Sequence, residues 1–267
     1  MGFTALYATF GASPTSRINT AFTYRLTYQG FRIAAQAQVR GYDQDNAASE
    51  QYQGQIGTDF KGFSFDAIVG YAKNALTFQS FGGATTPVGY NPYSIVRATA
   101  MNTGGVELLG RYEWEKFKFY VGYIHSVSVN PSNPYYPNGL STIAEGISVP
   151  PGFVTVNTYT VPRVLDTVWT GLRYAVWSNL DLAAGVYSES QSNFLAAPAV
   201  CTGSGSATSS TRCAGGRWSS SFLADYRPIP RVSLFAGLLV STVYGGVASA
   251  FEHTQNIAPT AGLRIRF

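Results

Sequence analysis

Two histidines, His125 and His253, set the first chemistry to consider in this chain. His125 stands in the run YIHSVSVN with Ser126 beside it, the pairing that a serine nucleophile worked by a histidine base would need. The rest of such a site is missing from the sequence. There is no Gly-x-Ser-x-Gly elbow, and no metal-ligand spacing accompanies either histidine. His253, in AFEHTQN, also sits beside a loop, where a lone imidazole is usually a solvated polar side chain. The run GGATTPVG, Gly82 to Gly89, lacks the lysine of a phosphate-binding loop and reads as a loop tip. Cys201 and Cys213 bracket CTGSGSATSSTRC, a small-residue loop that closes easily on a disulfide in an oxidising compartment. A metal pair is the alternative reading of these cysteines. Neither histidine is adjacent in sequence to complete it. No cofactor is expected.

The charged residues carry a different chemistry, because of where they fall. Phe22 to Arg40 reads FTYRLTYQGFRIAAQAQVR. Phe22, Tyr24, Leu26 and Tyr28 alternate with Thr23, Arg25 and Thr27. After Gln29-Gly30 the alternation resumes, with Phe31, Ile33, Ala35, Ala37 and Val39 against Arg32, Gln36, Gln38 and Arg40. Successive strand side chains point to opposite faces, so a period of two means a two-faced sheet. The polar side of this and the later runs collects Arg25, Arg32, Arg40, Asp59, Asp66, Glu107, Arg111, Glu113, Lys118, Arg173, Asp181, Arg217, Asp225, Arg264 and Arg266. Such a face is too charged to pack as a dry core. An arginine or lysine at the bilayer midplane costs about 2–4 kcal/mol, so these side chains must face water. Opposed rows of basic and acidic groups lining a water-filled space sort solutes by charge, and the basic excess favours anions slightly. Pairing across neighbouring strands, which would merely brace the wall, is the competing role for each. Arg25, Arg32 and Arg111 sit nearest mid-strand and are the candidates for solute contact.

The elements that must position these residues follow the same pattern. Alternating runs flank tight joints at Gln29-Gly30, Lys61-Gly62, Glu115-Lys116, Ser178-Asn179 and Pro228 to Pro230, and a last run ends at Phe267. This predicts five hairpins and a lone strand, about eleven strands of about 9–11 residues each, with Phe3 to Thr9 a candidate for a twelfth. The joints between hairpins are long: Gly41 to Glu50, Asn74 to Thr103, Val127 to Leu165, Ser190 to Gly215 and Val243 to Gln255. Strict short–long alternation puts every tight turn on one side and every long loop on the other. A β-sandwich has no reason to keep that rule, whereas an outer-membrane barrel does. Aromatics stand at the tight turns, including Tyr28, Phe31, Phe60, Phe63, Trp114, Phe117, Tyr174 and Tyr226, with Tyr71 and Tyr123 near the loops, as two interfacial girdles would. The longest loop, with NPSNPYYPNG and SVPPG, reads as surface sequence variation, or as a lid over the mouth or a contact with a neighbouring subunit.

Composition agrees. Charged residues are 12% of the 267 positions, against about 25% in soluble domains, and aromatics are 15%. No apolar run approaches the roughly 18 residues of a spanning helix. The net charge of +4 is scattered rather than clustered, which argues against a nucleic-acid surface. Met1-Gly2-Phe3 opens without the basic segment or cleavage site of a signal peptide. A soluble barrel or lectin-like binding protein would need to bury the apolar face, and the charge on the other face speaks against it.

The last stretch, Ala224 to Phe267, resembles the C-terminal end of Gram-negative general porins. The similar elements are Asp225-Tyr226-Arg227, Gly245-Gly246, Asn256-Ile257-Ala258-Pro259-Thr260 and the closing Gly262-Leu263-Arg264-Ile265-Arg266-Phe267. RINTAFTYRLTYQGF, Arg17 to Phe31, is similar to the porin strand that follows the constriction loop. The resemblance implies one barrel domain over 1–267, a homotrimer in the outer membrane, passive diffusion of small hydrophilic solutes, and Phe267 as the signal read by barrel-assembly machinery. Porins of this kind have about sixteen strands. The first strands and most of the constriction loop have no counterpart here. The chain is then either an N-terminally truncated porin or a closed barrel of about twelve strands using Met1 to Phe10, with a narrower lumen. The alternatives to a channel are a barrel enzyme of lipase or protease type and a non-conducting structural barrel.

Overall fold

The computed structural model describes residues 21–39, 50–73, 77–78, 98–99, 102–130, 132, 142–144, 147–149, 159–194, 213–250 and 253–266. Arg40, Cys201, Phe267, the Met1 to Phe10 segment and most of the long loops lie outside the described residues. Eleven long strands form the body: β1 (Ala21–Tyr28), β2 (Phe31–Val39), β3 (Glu50–Phe60), β4 (Phe63–Lys73), β7 (Asn102–Trp114), β8 (Phe117–Val129), β11 (Arg163–Trp177), β12 (Leu180–Gln191), β13 (Gly215–Ile229), β14 (Val232–Gly245) and β15 (Gln255–Ile265). Between them lie two small ladders, β5 (Thr77–Phe78) with β6 (Ala98–Thr99), and β9 (Thr142–Ala144) with β10 (Ile147–Val149).

The eleven strands make one antiparallel sheet in the order β1-β2-β3-β4-β7-β8-β11-β12-β13-β14-β15, so each strand pairs with its neighbours in sequence. The fold class expected from the alternation is the one observed. Among the described residues the sheet has two edges, β1 and β15, and is not closed.

Turn chemistry fixes the hairpins. Gln29 and Gly30 have φ of 47° and 84°, and Lys61 and Gly62 have 45° and 82°. Positive φ at both central residues is the two-residue turn whose twist matches that of the flanking strands. A recurrent hydrogen bond then ties each tight turn to the next hairpin. The carbonyls of Gly30, Gly62, Lys116, Asn179 and Arg231 accept from the amides of Asp59, Glu113, Ala175, Arg227 and Arg266, at 2.7–2.9 Å. These bonds extend each ladder to the turn and set the stagger between hairpins.

Two boundaries differ from expectation. The joint between β13 and β14 is Pro230-Arg231, because β13 runs on to Ile229 past a register shift after Tyr226. Several strands also exceed the 9–11 residues expected, with β11 and β13 reaching 15. The extra length lies mostly at the loop ends. There β8 continues through Ser126-Val127-Ser128-Val129, whose small side chains blur the alternation while backbone pairing persists.

Among the described residues the apolar side chains form no central core. Phe22 is 83% exposed, Ile257 66% and Ile56 58%, and the large hydrophobic residues as a group lie on the open face of the sheet. The buried apolar cluster sits at the loop rim instead. Tyr159, Phe194 and Cys213 pack together, with the Tyr159 and Phe194 rings edge-on at 5.2 Å. Thr160 and Val161 donate to the Phe194 carbonyl, and the Gln191 side chain donates to the carbonyl of Cys213. Cys213 is disulfide-bonded.

Candidate pore wall

Cross-strand register assigns the paired residues of the long strands to faces. Phe22, Tyr24, Leu26 and Tyr28 of β1 stand opposite Ala37, Ala35, Ile33 and Phe31 of β2. The same face continues through Ile56, Ala67, Leu108, Tyr123, Val168, Val186, Phe222, Leu238 and Ile257. Near the tight turns it carries a run of stacked rings: Trp114 on Phe117 at 6.0 Å, and Phe117 on Tyr174 at 4.6 Å. This is the arrangement of an aromatic belt at a membrane surface.

The opposite face carries all the charged residues singled out above that the structure describes. Asp59 pairs with Ser64, Asp66 with Gly57 and Leu109, Arg111 with Tyr120, Lys118 with Glu113 and Arg173, and Asp225 with Asp181 and Phe235. Arg25, Arg32, Glu107, Arg217 and Arg264 fall in the same register.

Most are held in clusters. The Arg32 guanidinium lies between two carboxylates: it contacts Asp59, and its Nη2 is 2.8 Å from Asp66 Oδ2. Ser64 and the Gln55 amide complete that group. Glu113 takes Lys118 at 3.0 Å and Arg111 at 3.4 Å. Asp181, with a side chain only 6% exposed, accepts from Arg173 at 2.5 Å and Arg227 at 2.6 Å. Ser233 donates to Asp225. Arg264 lies over the Phe235 ring at 5.8 Å. Arg25 and Glu107 have no ion-pair partner among the described residues. So of the three arginines expected at mid-strand, Arg25 is exposed and without an ion-pair partner among the described residues, whereas Arg32 and Arg111 are engaged.

Sequence reasoning missed three charged members of this face. Arg227 follows Asp225 at the strand period, and its position was hidden by the prolines after it. Glu189 pairs with Arg217 at 3.2 Å, in a stretch of β12 where serines replace the apolar partners. Arg163 opens β11 and donates to Gln191. Rings are not confined to the apolar face. Tyr120, Trp169 and Tyr187 are rings on the charged face rather than the apolar one.

His125 goes the other way. It lies on the apolar register near the loop end of β8, opposite Val106 and Asp166. Its Nδ1 is 2.8 Å from Asp166 Oδ1, and the Tyr123 hydroxyl donates to the same oxygen at 2.6 Å. It is thus a bonded residue of the outer surface rather than a freely solvated one. Among the described residues no serine hydrogen-bonds to it. His253 is exposed just before β15. No group of metal-binding side chains occurs among the described residues.

An apolar exposed face, a charged opposite face and eleven meandering antiparallel strands define the chain as an outer-membrane-type β-barrel. No protein-family model matches the sequence, and no curated protein does. Solved structures do match in fold. Outer-membrane-expressed OmpT of Vibrio cholerae superimposes with a TM-score of 0.54 at 15% identity, over 92% of this chain. The in-vitro folded trimer form of that protein gives 0.51 at 15% identity, over 91%. A porin refined at 1.8 Å gives 0.53 at 8% identity, over 92%. The chain spans 64%, 61% and 60% of those proteins' lengths.

Proposed function

We propose that the chain forms the wall of a water-filled channel that lets small hydrophilic solutes diffuse across an outer membrane, with a slight preference for anions. One observation carries this reading. The long strands present exposed apolar groups on one face, while the other face gathers most of the charged side chains and pairs most of those across strands. In lipid, only a closed sheet with its polar face around water satisfies both. The anion preference follows from Arg25, which has no acidic partner among the described residues. The working form is a homotrimer, by likeness to a fold neighbour described as a trimer form. Phe267 serves as the signal for barrel-assembly machinery, and no cofactor or bond-making chemistry is involved. The channel reading is preferred to a serine enzyme because, among the described residues, no serine is bonded to His125, although its bond to Asp166 is one that a catalytic base could also make.

The test is conductance across a planar bilayer with a salt gradient. Discrete current steps are expected, with a reversal potential displaced toward that of the anion. Intact folding without steps would refute the channel. A reversal potential on the cation side would refute the preference. His125→Ala should leave the steps unchanged, which a catalytic histidine in a non-conducting barrel would not predict.

A further inference from the structure

We infer that the polar face carries a binding platform for a neutral sugar ring, centred on Trp169 of β11 and Tyr187 of β12. The inference rests on that face lining water. Trp169 is the one tryptophan there. Trp114, Trp177 and Trp218 all stand on the apolar register and are 50–64% exposed. Trp169 pairs directly with Tyr187 on one side and with Gly122 on the other. The indole lies over Gly122, where a Cβ would collide with its six-membered ring. The Tyr187 phenol lies along its own strand over Gly185, where a Cβ would come within 2.7 Å of the hydroxyl. Its hydroxyl sits 3.1 Å from Ser221 Oγ. Both rings are therefore laid against the backbone, held by glycines that leave room beneath them, and both remain partly exposed above.

Across the strand pair, Tyr187 is bordered by hydroxyls. Ser219 stands opposite Tyr187, and Ser241 opposite Ser219. Charge begins only beyond the platform: Glu107 and the Glu189–Arg217 pair toward the loops, Lys118 and Arg173 toward the tight turns. Among the described residues none hydrogen-bonds to the Trp169 indole N–H. A flat electron-rich surface bordered by hydroxyl groups suits a solute with one C–H face and a rim of hydroxyls. A pyranose has that build. An uncharged ring also fits the neutral gap between two charged rows better than an anion does. An aromatic on the face turned away from lipid is not accounted for by membrane anchoring.

The test uses the full chain in planar bilayers, with maltotriose as the probe and a polyethylene glycol of similar size as the non-stacking control. Maltotriose should interrupt the current in a saturable way, and the glycol should only scale it. In Trp169→Ala the half-blocking concentration, referred to that channel's own open current, should rise at least tenfold. Trp218→Ala, on the apolar face, should leave it unchanged. Identical behaviour of the two probes in the unaltered chain overturns the platform while leaving the channel standing. So does an unmoved blocking constant in Trp169→Ala. If no current steps occur at all, the channel reading fails. The platform is then judged in detergent, using a variant in which Trp114, Trp177 and Trp218 are phenylalanine. Saturable maltotriose-dependent fluorescence of the remaining Trp169 supports it, and a flat titration refutes it.

Discussion

At the scale of single residues the wall shows how charge is tolerated beside a membrane. Asp181 is nearly buried and takes two guanidinium groups, so its carboxylate is the hinge of a three-residue cluster spanning β11, β12 and β13. Removing the charge leaves Arg173 and Arg227 facing each other without a mediator. Charge-assisted hydrogen bonds of this kind contribute about 1.5–3 kcal/mol each when desolvated, and the half-exposed arginines lower that figure. Asp181→Asn is therefore expected to destabilise the folded protein by about 1–3 kcal/mol. Glu113 makes two bridges as well, but its side chain is 36% exposed, and Glu113→Gln should shift the unfolding midpoint far less. Guanidinium unfolding in a lipid-mimetic micelle reads both midpoints. Equal shifts would mean that burial of Asp181 contributes nothing.

At the scale of elements the decisive property is which way each strand's two faces point. Leu238 and Leu239 are adjacent in the middle of β14 and identical in chemistry. Leu238 lies opposite Phe222 and Pro259 on the apolar face, and Leu239 lies opposite Ser221 and Ala258 on the polar one. Leu238→Arg should cost about 2–4 kcal/mol or prevent insertion, whereas Leu239→Arg should cost well under half of that, measured as folding free energy into vesicles. A reversed order would turn the sheet inside out. Much of this architecture was legible because alternation is strongest where hydrocarbon demands it: Phe22 to Tyr28, Val106 to Trp114 and Val232 to Val240 all kept their assigned faces. Legibility failed where that demand ends. Beyond the apolar band, Ser126 to Val129 and Tyr187 to Gln191 keep their backbone pairing without large apolar side chains alternating with polar ones, so the sequence offered no clear period to follow. Pairing partners were also unreadable. Arg32 between Asp59 and Asp66, or Asp166 beneath His125, depends on register between strands that no single strand encodes.

At the scale of the whole molecule, the direction of the edge strands constrains how the wall is completed. β1 ends at the tight turn Gln29-Gly30, and β15 starts from the loop side and bonds to the tight turn at Arg231, so both run toward the same rim. Direct pairing of β1 with β15 would be parallel, a seam known in 19-stranded barrels but absent from the even-numbered bacterial ones. An antiparallel closure instead needs an odd number of added strands between them. Leaving either edge bare in lipid would strand a row of amides and carbonyls, each costing several kcal/mol. The assembled protein should thus have an even strand count, and the amides of Ala21–Tyr28 and Gln255–Ile265 should be as protected from hydrogen exchange as those of the central Phe117–Val129. Exchange in detergent-embedded protein, read by mass spectrometry, separates the cases. Rapid exchange along β1 or β15 would show an open edge. Protection with an odd strand count in an electron-microscopy map would show a parallel seam. Protection with an even count is what the backbone's need for partners dictates.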